Sequence, residues 1–253
     1  MKSTLEVLFT PADFSALSTR DLSATHCVVY DVLRATSSML TALANGANSI
    51  LPVRDIPEAI KLHSTMPNAL LAGERDGVRI LAAQTGSVDF DHGNSPREFT
   101  SIAVAHRDII MTTTNGTRAL QACVGAKQIF AAAWLNLKAT AARLEREGVE
   151  HLIVVCAGTY EEAAYEDTLA AGALSDLLWD KFDANEVSDS AQIARQIYLD
   201  TKSDARAGLA RHSKNARRLL SMPALRDDVA FCFQRDCLDC VAEMRNGAVR
   251  IIG

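Results

Sequence analysis

The chain reads as an α/β protein: a mixed, mainly parallel sheet covered by helices on both faces, with an internal strand–turn–helix repeat. Three observations predict this. Short apolar runs alternate with helical periods along most of the 253 residues, the order that builds a largely parallel sheet buried on both sides. One block occurs twice. Cys27-Val28-Val29-Tyr30 leads through Asp31-Val32-Leu33-Arg34-Ala35-Thr36 to a helical stretch ending at Asn45-Gly46-Ala47 and then to Ile50-Leu51-Pro52-Val53. Asp108-Ile109-Ile110-Met111 leads in the same way through Thr112-Thr113-Thr114-Asn115-Gly116-Thr117 to Gly125-Ala126 and Ile129-Phe130-Ala131. The Gly-Ala pairs lie 79 positions apart and Thr36 and Thr117 lie 81 apart, which sets repeat units of about 27–62 and 108–144 inside one domain spanning 1–253. Thirdly, polar residues gather where apolar runs end and helices begin, the edge on which α/β proteins usually bind ligands.

The elements follow in order. Leu5 to Phe9 has strand character and stops at Thr10-Pro11. After the first repeat, Asp55-Ile56-Pro57-Glu58-Ala59 opens a helix with Pro in its first turn. Ala69-Leu70-Leu71-Ala72 is a short strand ending in Gly73-Glu74-Arg75. Residues 76–100 are punctuated by Gly77, Gly86, Gly93 and Pro96, and a connection this long is disproportionately functional. A helix containing Ala139 and Leu144 runs to Gly148. His151-Leu152-Ile153-Val154-Val155-Cys156 is the clearest buried strand, and the helix after it presents Glu166 and Asp167 early. From Ser188 to about Val241 the pattern is mostly helical, with Ser188 and Ser203 as N-caps. Asn246-Gly247 between apolar residues signals a type I′ hairpin.

Composition narrows the function. A net charge of −5 and a pI near 5.7 argue against a broad nucleic-acid footprint. No apolar stretch approaches the roughly 20 residues needed to span a bilayer, and Met1-Lys2-Ser3-Thr4 leads into a strand rather than a signal sequence. The expectation is a cytoplasmic protein without a membrane partner, whose six cysteines are reduced core thiols. Arg outnumbers Lys nineteen to seven; Arg forks suit phosphate, carboxylate and sulfonate oxygens, although genomic composition gives the same bias. The region 188–241 could supply a self-complementary face for a homo-oligomer.

Common machinery is missing: there is no G-x-G-x-x-G, no P-loop and no His-Glu-x-x-His. Asp89-Phe90-Asp91 follows Gly86-Ser87 rather than an apolar strand, a poor setting for an aspartyl-phosphate nucleophile. Cys232, Cys237 and Cys240 begin an iron–sulfur spacing but lack the fourth cysteine; the segment reads as a helix with Cys237 and Cys240 on one apolar face with Phe233 and Val241. What remains is a set of polar turns. Asp31 with Arg34, Gly73-Glu74-Arg75, Gly93-Asn94-Ser95-Pro96, Asn115-Gly116-Thr117 and Glu166-Asp167 each have a plain structural reading, as turn residues, as an N-cap at Thr117 or as acidic groups favoured by a helix dipole. Jointly they put carboxylates, arginines and backbone N–H groups on one sheet edge. Carboxylates there suit Mg²⁺, and arginines suit anionic oxygens.

The string Val29-Tyr30-Asp31-Val32-Leu33-Arg34-Ala35-Thr36 resembles the opening motif of the 2-phosphosulfolactate phosphatase family, which acts in coenzyme M biosynthesis and related sulfonate routes. Gly73-Glu74-Arg75, Gly93-Asn94-Ser95-Pro96, Thr113-Thr114-Asn115-Gly116-Thr117, Cys156-Ala157-Gly158 and Glu166-Asp167 with Ala171-Gly172 resemble its other blocks in the same order. The likeness continues through Ser213 and Arg217-Arg218-Leu219 to Asp228-Val229. Thr159-Tyr160-Glu161 departs from it, standing where the family more often has small residues along one pocket wall. The resemblance implies Mg²⁺-dependent hydrolysis of (2R)-2-phospho-3-sulfolactate, a small anionic phosphoester. On that basis Asp31 would bind the metal with Glu74 or Asp167, and Asp31, Arg34 and Asp167 would serve catalysis. Arg34 and the N–H groups near Thr36 would hold the phosphate. Asn115, Gly116 and Thr117 would grip the phosphate or the carboxylate, Arg75, Arg97 and Arg118 would meet the carboxylate and sulfonate, and Asn94 and Ser95 would close a loop over the substrate. Two alternatives stay open: a phosphatase of this family acting on another phosphorylated hydroxy acid, and a non-catalytic protein that binds an anionic metabolite.

Overall fold

The computed structural model describes residues 3–252, with the backbone alone at residue 206; Met1 and Lys2 of the opening segment lie outside the described residues. In chain order the strands are β1 Thr4–Leu8, β2 His26–Tyr30, β3 Ser49–Pro52, β4 Leu70–Arg75, β5 Val78–Arg79, β6 Asp108–Thr112, β7 Gln128–Ala132, β8 His151–Cys156, β9 Val241–Arg245 and β10 Ala248–Ile252. The helices are α1 Pro11–Ser15, α2 Ala35–Ala44, α3 Ile56–Thr65, α4 Ala82–Thr85, α5 Ser101–Val104, α6 Gly116–Ala122, α7 Leu137–Glu147, α8 Tyr165–Leu178, α9 Asp189–Thr201, α10 Ala205–His212, α11 Lys214–Leu220 and α12 Arg226–Cys232.

The strands form one ten-stranded sheet in the order β1-β8-β2-β7-β9-β10-β3-β6-β4-β5. β1, β8, β2 and β7 are parallel to one another, as are β3, β6 and β4. The hairpin β9–β10 lies between these two blocks, antiparallel to β7 on one side and to β3 on the other. The fold class is therefore as the alternating pattern predicts. Both segments expected to repeat take the order strand, helix, strand, yet they do not pack as separate lobes. β2 of the first pairs with β7 of the second, and β3 pairs with β6.

Side chains alternate between two cores along each strand, because successive residues of a strand point to opposite faces. Val28, Tyr30, Phe130, Leu152 and Val154 face α7, α8 and α9. Cys27, Val29, Ile129, Ile153 and Val155 share a second core with Phe14 of α1, Met39 and Leu40 of α2 and Leu120 of α6. Ile50, Ile109 and Met111 from the other block join that second core, while Leu71 and Ile110 face Ala59 of α3. α2 thus lies in a core shared by both blocks and is buried throughout Ala35–Leu43. Its hydroxyls all find acceptors: Ser37 Oγ donates to the Val32 carbonyl, Ser38 Oγ to that of Asn94 and Thr41 Oγ1 to that of Ser37. A helix buried on all sides shows no amphipathic stripe.

Several local expectations hold. Asp55 caps α3, Ser188 caps α9, and Asn246 and Gly247 take φ of 53° and 76° in the β9–β10 turn. Others change. Asp204, not Ser203, caps α10 by accepting the Ala207 N–H. α6 begins at Gly116, so Thr117 lies inside it rather than capping it. The helix expected through Cys237 and Cys240 ends at Cys232; beyond it, Asp236 and Leu238 donate their N–H groups to the carbonyls of Trp134 and Leu135, and these tertiary bonds replace helical ones. Cys237 is exposed and Cys240 half-buried, while the other four cysteines are buried. No helix among the described residues is long and apolar enough to cross a membrane.

Candidate active site

The turns after β2, β4, β6 and β8 converge on one cleft enclosing about 470 Å³ of space, part of it open to solvent. Asp31, Arg34, Glu74, Asn94 and Asn115 line it, together with Asp76, Tyr160, Asn215 and Arg218.

Asp31 follows β2 and is buried. Its Oδ1 accepts the Ala35 N–H at 3.0 Å. Thr36 Oγ1 accepts the Asp31 N–H at 3.0 Å and donates to the Asp31 carbonyl at 2.9 Å, locking the turn. No hydrogen bond reaches Asp31 Oδ2 among the described residues. Burial pushes this carboxyl up to about 7, helped by repulsion from Glu74 and Glu166 and opposed by the Ala35 N–H and by Arg34. The approach of α6 is very close here: a Cβ on Gly116 would stand 2.6 Å from both Ala35 Cβ and Asp31 Oδ2. Glycine lets the second turn press against the first.

Asp167, in the first turn of α8, is buried and raised well above the usual carboxylate range, by desolvation first and then by the charge of Asp31. Its Oδ1 accepts the Val32 N–H at 2.8 Å and its Oδ2 the Gly158 N–H at 3.1 Å. Asp167 therefore ties the Asp31 turn to the turn after β8. Glu74 plays the same part between β4 and β6. Its Oε1 accepts the Thr114 N–H and hydroxyl at 2.8 and 2.9 Å, and its Oε2 accepts the Gly77 N–H at 2.7 Å. The expected metal set of Asp31, Glu74 and Asp167 is thus not a preformed carboxylate cage. Among the described residues no group of three His, Cys, Asp or Glu side chains is arranged to hold an ion. Asp31 alone keeps an oxygen without a hydrogen bond.

Two further cleft-lining residues carry an amide oxygen without a partner. Asn115 Nδ2 donates to the carbonyls of Ala157 and Tyr160 at 2.8 and 2.7 Å. Those acceptors fix the amide's orientation and leave Oδ1 buried without a partner. The buried Asn94 Oδ1 is also unpartnered. Native proteins rarely strand buried acceptors, so the two that belong to cleft-lining residues are candidate positions for a water, an ion or a ligand.

Arg34 is buried, with Nη1 donating to Asp228 Oδ2 at 2.7 Å and Nη2 to the Gly77 carbonyl at 2.8 Å. Asp228, fully buried in α12, also accepts Ser95 Oγ and Arg97 Nε, each at 2.7 Å. Arg97 and Ser95 consequently brace Arg34 from behind instead of lining the cleft. Arg75 is likewise engaged elsewhere, on the carbonyls of Glu74 and Thr112 and on Thr112 Oγ1. Arg118 pairs with Glu161 at 3.1 Å on the surface. Thr117 Oγ1 accepts the Thr113 N–H at 3.2 Å, clamping its turn as Thr36 clamps the other. The N–H groups of Ala35 and Thr36, expected on the phosphate, go to Asp31 Oδ1 and the Asp31 carbonyl.

Asp228, Arg218 and Asn215 have no role predicted from sequence, while Tyr160 lines the cleft as its place on a pocket wall implies. Asn215 Nδ2 donates to Glu166 Oε1 and to the Leu33 carbonyl, each at 2.9 Å, while Ser213 Oγ donates to Glu166 Oε2 at 2.6 Å. The signal for Arg218 and Asp228 lies in the segments Arg217-Arg218-Leu219 and Asp228-Val229, which carry part of the resemblance.

A family model described as 2-phosphosulpholactate phosphatase matches residues 12–247. The chain belongs to the 2-phosphosulfolactate phosphatase family. A protein of Caldicellulosiruptor saccharolyticus, named a probable 2-phosphosulfolactate phosphatase, is 36% identical over 229 residues, covering 89% of this chain and 91% of its own. One of Pseudothermotoga lettingae with the same name is 37% identical over 237 residues, 94% of each chain. A third, from Clostridium acetobutylicum, is 34% identical over 223 residues, 88% of this chain and 90% of its own. Membership makes the chain a hydrolase of the phosphatase class, with a small phosphoester as substrate.

Proposed function

We propose that the chain hydrolyses (2R)-2-phospho-3-sulfolactate to (2R)-3-sulfolactate and phosphate, with Mg²⁺ as cofactor. The observation that carries the reading is that Asp31, whose Oδ2 accepts no hydrogen bond among the described residues, and Asn94 and Asn115, whose amide oxygens are unpartnered, line the same cleft as Arg34. These are hard oxygen donors with one carboxylate among them. Magnesium suits such a set, since it takes one or two protein carboxylates and completes its shell with water and phosphate oxygens. Asp31 Oδ2 and Asn115 Oδ1 would hold the ion, with Asn94 Oδ1 beside them. When bound, it supplies neutralisation of charge on the phosphoryl oxygens.

The protein's own groups do the rest. Arg34, fixed at two of its nitrogens by Asp228 and Gly77, meets the phosphate without rearranging, and fixed donors are worth more than mobile ones in a water-poor site. Glu74 and Asp167 hold the turns that aim Asp31 and Asn115. In the reaction a water oxygen bonds to phosphorus, the ester P–O bond breaks and the leaving alkoxide takes one of the water's protons.

The test is phosphate release from synthetic phosphosulfolactate with Mg²⁺ and after chelation, alongside calorimetric titration of the protein with Mg²⁺. Turnover that disappears on chelation, and Mg²⁺ binding lost in Asp31→Asn and weakened in Asn115→Ala, are expected. Undiminished turnover in chelator refutes the cofactor assignment; no phosphate release at all refutes the substrate.

A further inference from the structure

The cleft has a second cation that the phosphate-binding scheme leaves unused. Among the described residues lining it, Arg34 and Arg218 are the cations, against the carboxylates of Asp31, Glu74 and Asp76. Arg34 is already paired with the buried Asp228. Arg218, half-buried in α11, forms no ion pair among the described residues; Nη2 donates to the Asp76 carbonyl at 2.6 Å. Among the described residues its guanidinium makes no other hydrogen bond, and an arginine fork matches carboxylate and sulfonate oxygens.

Arg218 is also held in place from the far side of the cleft. Asp76 and Gly77 form the two-residue turn between β4 and β5, with φ of 54° and 77°. The two carbonyls of this turn take one arginine each, Asp76 that of Arg218 and Gly77 that of Arg34. The turn therefore fixes both cations against one short piece of backbone. Tyr160 closes the arrangement: its hydroxyl donates to Asp76 Oδ1 at 2.9 Å, and its carbonyl accepts from Asn115 Nδ2. Asp76 Oδ1 takes the Tyr160 hydroxyl and not Arg218, so the Arg218 guanidinium lines the cleft without a salt-bridge partner among the described residues.

We propose that Arg218, set by the Asp76–Gly77 turn and flanked by Tyr160, determines specificity by binding the substrate's second anionic group, a carboxylate or sulfonate, while the phosphate lies at Arg34 and Asp31. The proposal rests on the phosphatase reading above for where the phosphate sits. Without this cation, a polyanionic substrate would place its distal charge in a cleft lined by carboxylates. A simple phosphomonoester gains nothing from it.

Calorimetric titration with 3-sulfolactate and, separately, with inorganic phosphate tests the subsite without requiring turnover. Losing one charge-assisted hydrogen-bonding group corresponds to roughly 10- to 150-fold in affinity. Arg218→Gln should weaken sulfolactate by that factor and phosphate by less than about threefold. Arg218→Lys keeps the charge and loses the fork, so it should weaken sulfolactate to a smaller extent, and it carries the test if Arg218→Gln does not fold. In kinetics, the preference for phosphosulfolactate over phenyl phosphate should fall by the same factor, chiefly through KM; 2-phospholactate, which lacks the sulfonate, shows which of the two anions Arg218 reads. Equal weakening of sulfolactate and phosphate, or unchanged sulfolactate binding, overturns the proposal, as does a wild type that binds no sulfolactate. A wild type that binds sulfolactate yet does not hydrolyse phosphosulfolactate refutes the activity and leaves the subsite standing.

Discussion

Asp31→Asn should abolish turnover and at the same time make the protein more stable at pH 8. The folded carboxyl is pushed up to about 7 by burial, against about 3.9 in an unfolded chain. Between those values the native state binds the proton that the unfolded state releases. Asp31 therefore favours folding most below about pH 4, and that contribution is lost as pH rises through about 7. A gap of about 3 pH units at about 1.4 kcal/mol each sets a ceiling of about 4 kcal/mol on the cost of the ionised group at pH 8. Asparagine removes that cost and keeps an oxygen for the Ala35 N–H. Its new amide donor, standing where Oδ2 faces Gly116, takes back about 1–3 kcal/mol. A net gain of about 1–3 kcal/mol follows. The assay is urea unfolding in chelator at pH 5 and pH 8, with phosphate release measured on the same preparations. Chelator matters because a cation bound only to the native state would mask the effect. A variant no more stable than wild type at pH 8, with the wild-type slope between the two pH values, refutes the electrostatic argument. Near-wild-type turnover refutes the site.

Other perturbations separate the site from its scaffold. Asp228→Asn leaves the buried Arg34, and the exposed Arg97 beside it, against an amide in place of a shared carboxylate; breaking the buried Arg34 pair costs about 3–5 kcal/mol, and both the urea midpoint and kcat/KM should fall. Gly116→Ala drives a methyl to 2.6 Å from Ala35 Cβ and Asp31 Oδ2, so it should cost about 1–3 kcal/mol and depress kcat and Mg²⁺ affinity as well. Gly172→Ala places a Cβ against the Ala194 carbonyl where α8 crosses α9. It should lower the melting temperature while the folded fraction keeps its kcat/KM, and a specific loss of activity would contradict that division.

The parts of this fold that were legible in the sequence are those where local pattern and tertiary role agree. The runs at Cys27–Tyr30 and His151–Cys156 are apolar at every position but one because both faces of their strands are covered. Asp31 and Asn115 were identifiable because each sits where an apolar run gives way to a helix. The backbone hydrogen bonds that Glu74 and Asp167 accept were not: a carboxylate that tethers backbone amides and one that binds a cation look alike in sequence. Arg75, Arg97 and Arg118 are adjacent to strand-end motifs, yet strand and turn geometry direct them to Thr112, Asp228 and Glu161. Arg217 and Arg218 are neighbours on one helix, and only its docking angle decides that Arg217 reaches the Arg211 carbonyl while Arg218 lines the cleft. At Cys237 and Cys240 helical spacing misled, because bonds to Trp134 and Leu135 claim the backbone first.

The position of the β9–β10 hairpin bears on how the chain is made. Residues 241–252 are translated after the other eight described strands, yet they occupy the centre of the sheet between β7 and β3. Until they emerge from the ribosome, β7 and β3 each present an open edge, a template for pairing with other nascent chains. The hairpin is thus a keystone set last, and losing it should push the nascent protein toward aggregation even though it contributes no residue to the cleft.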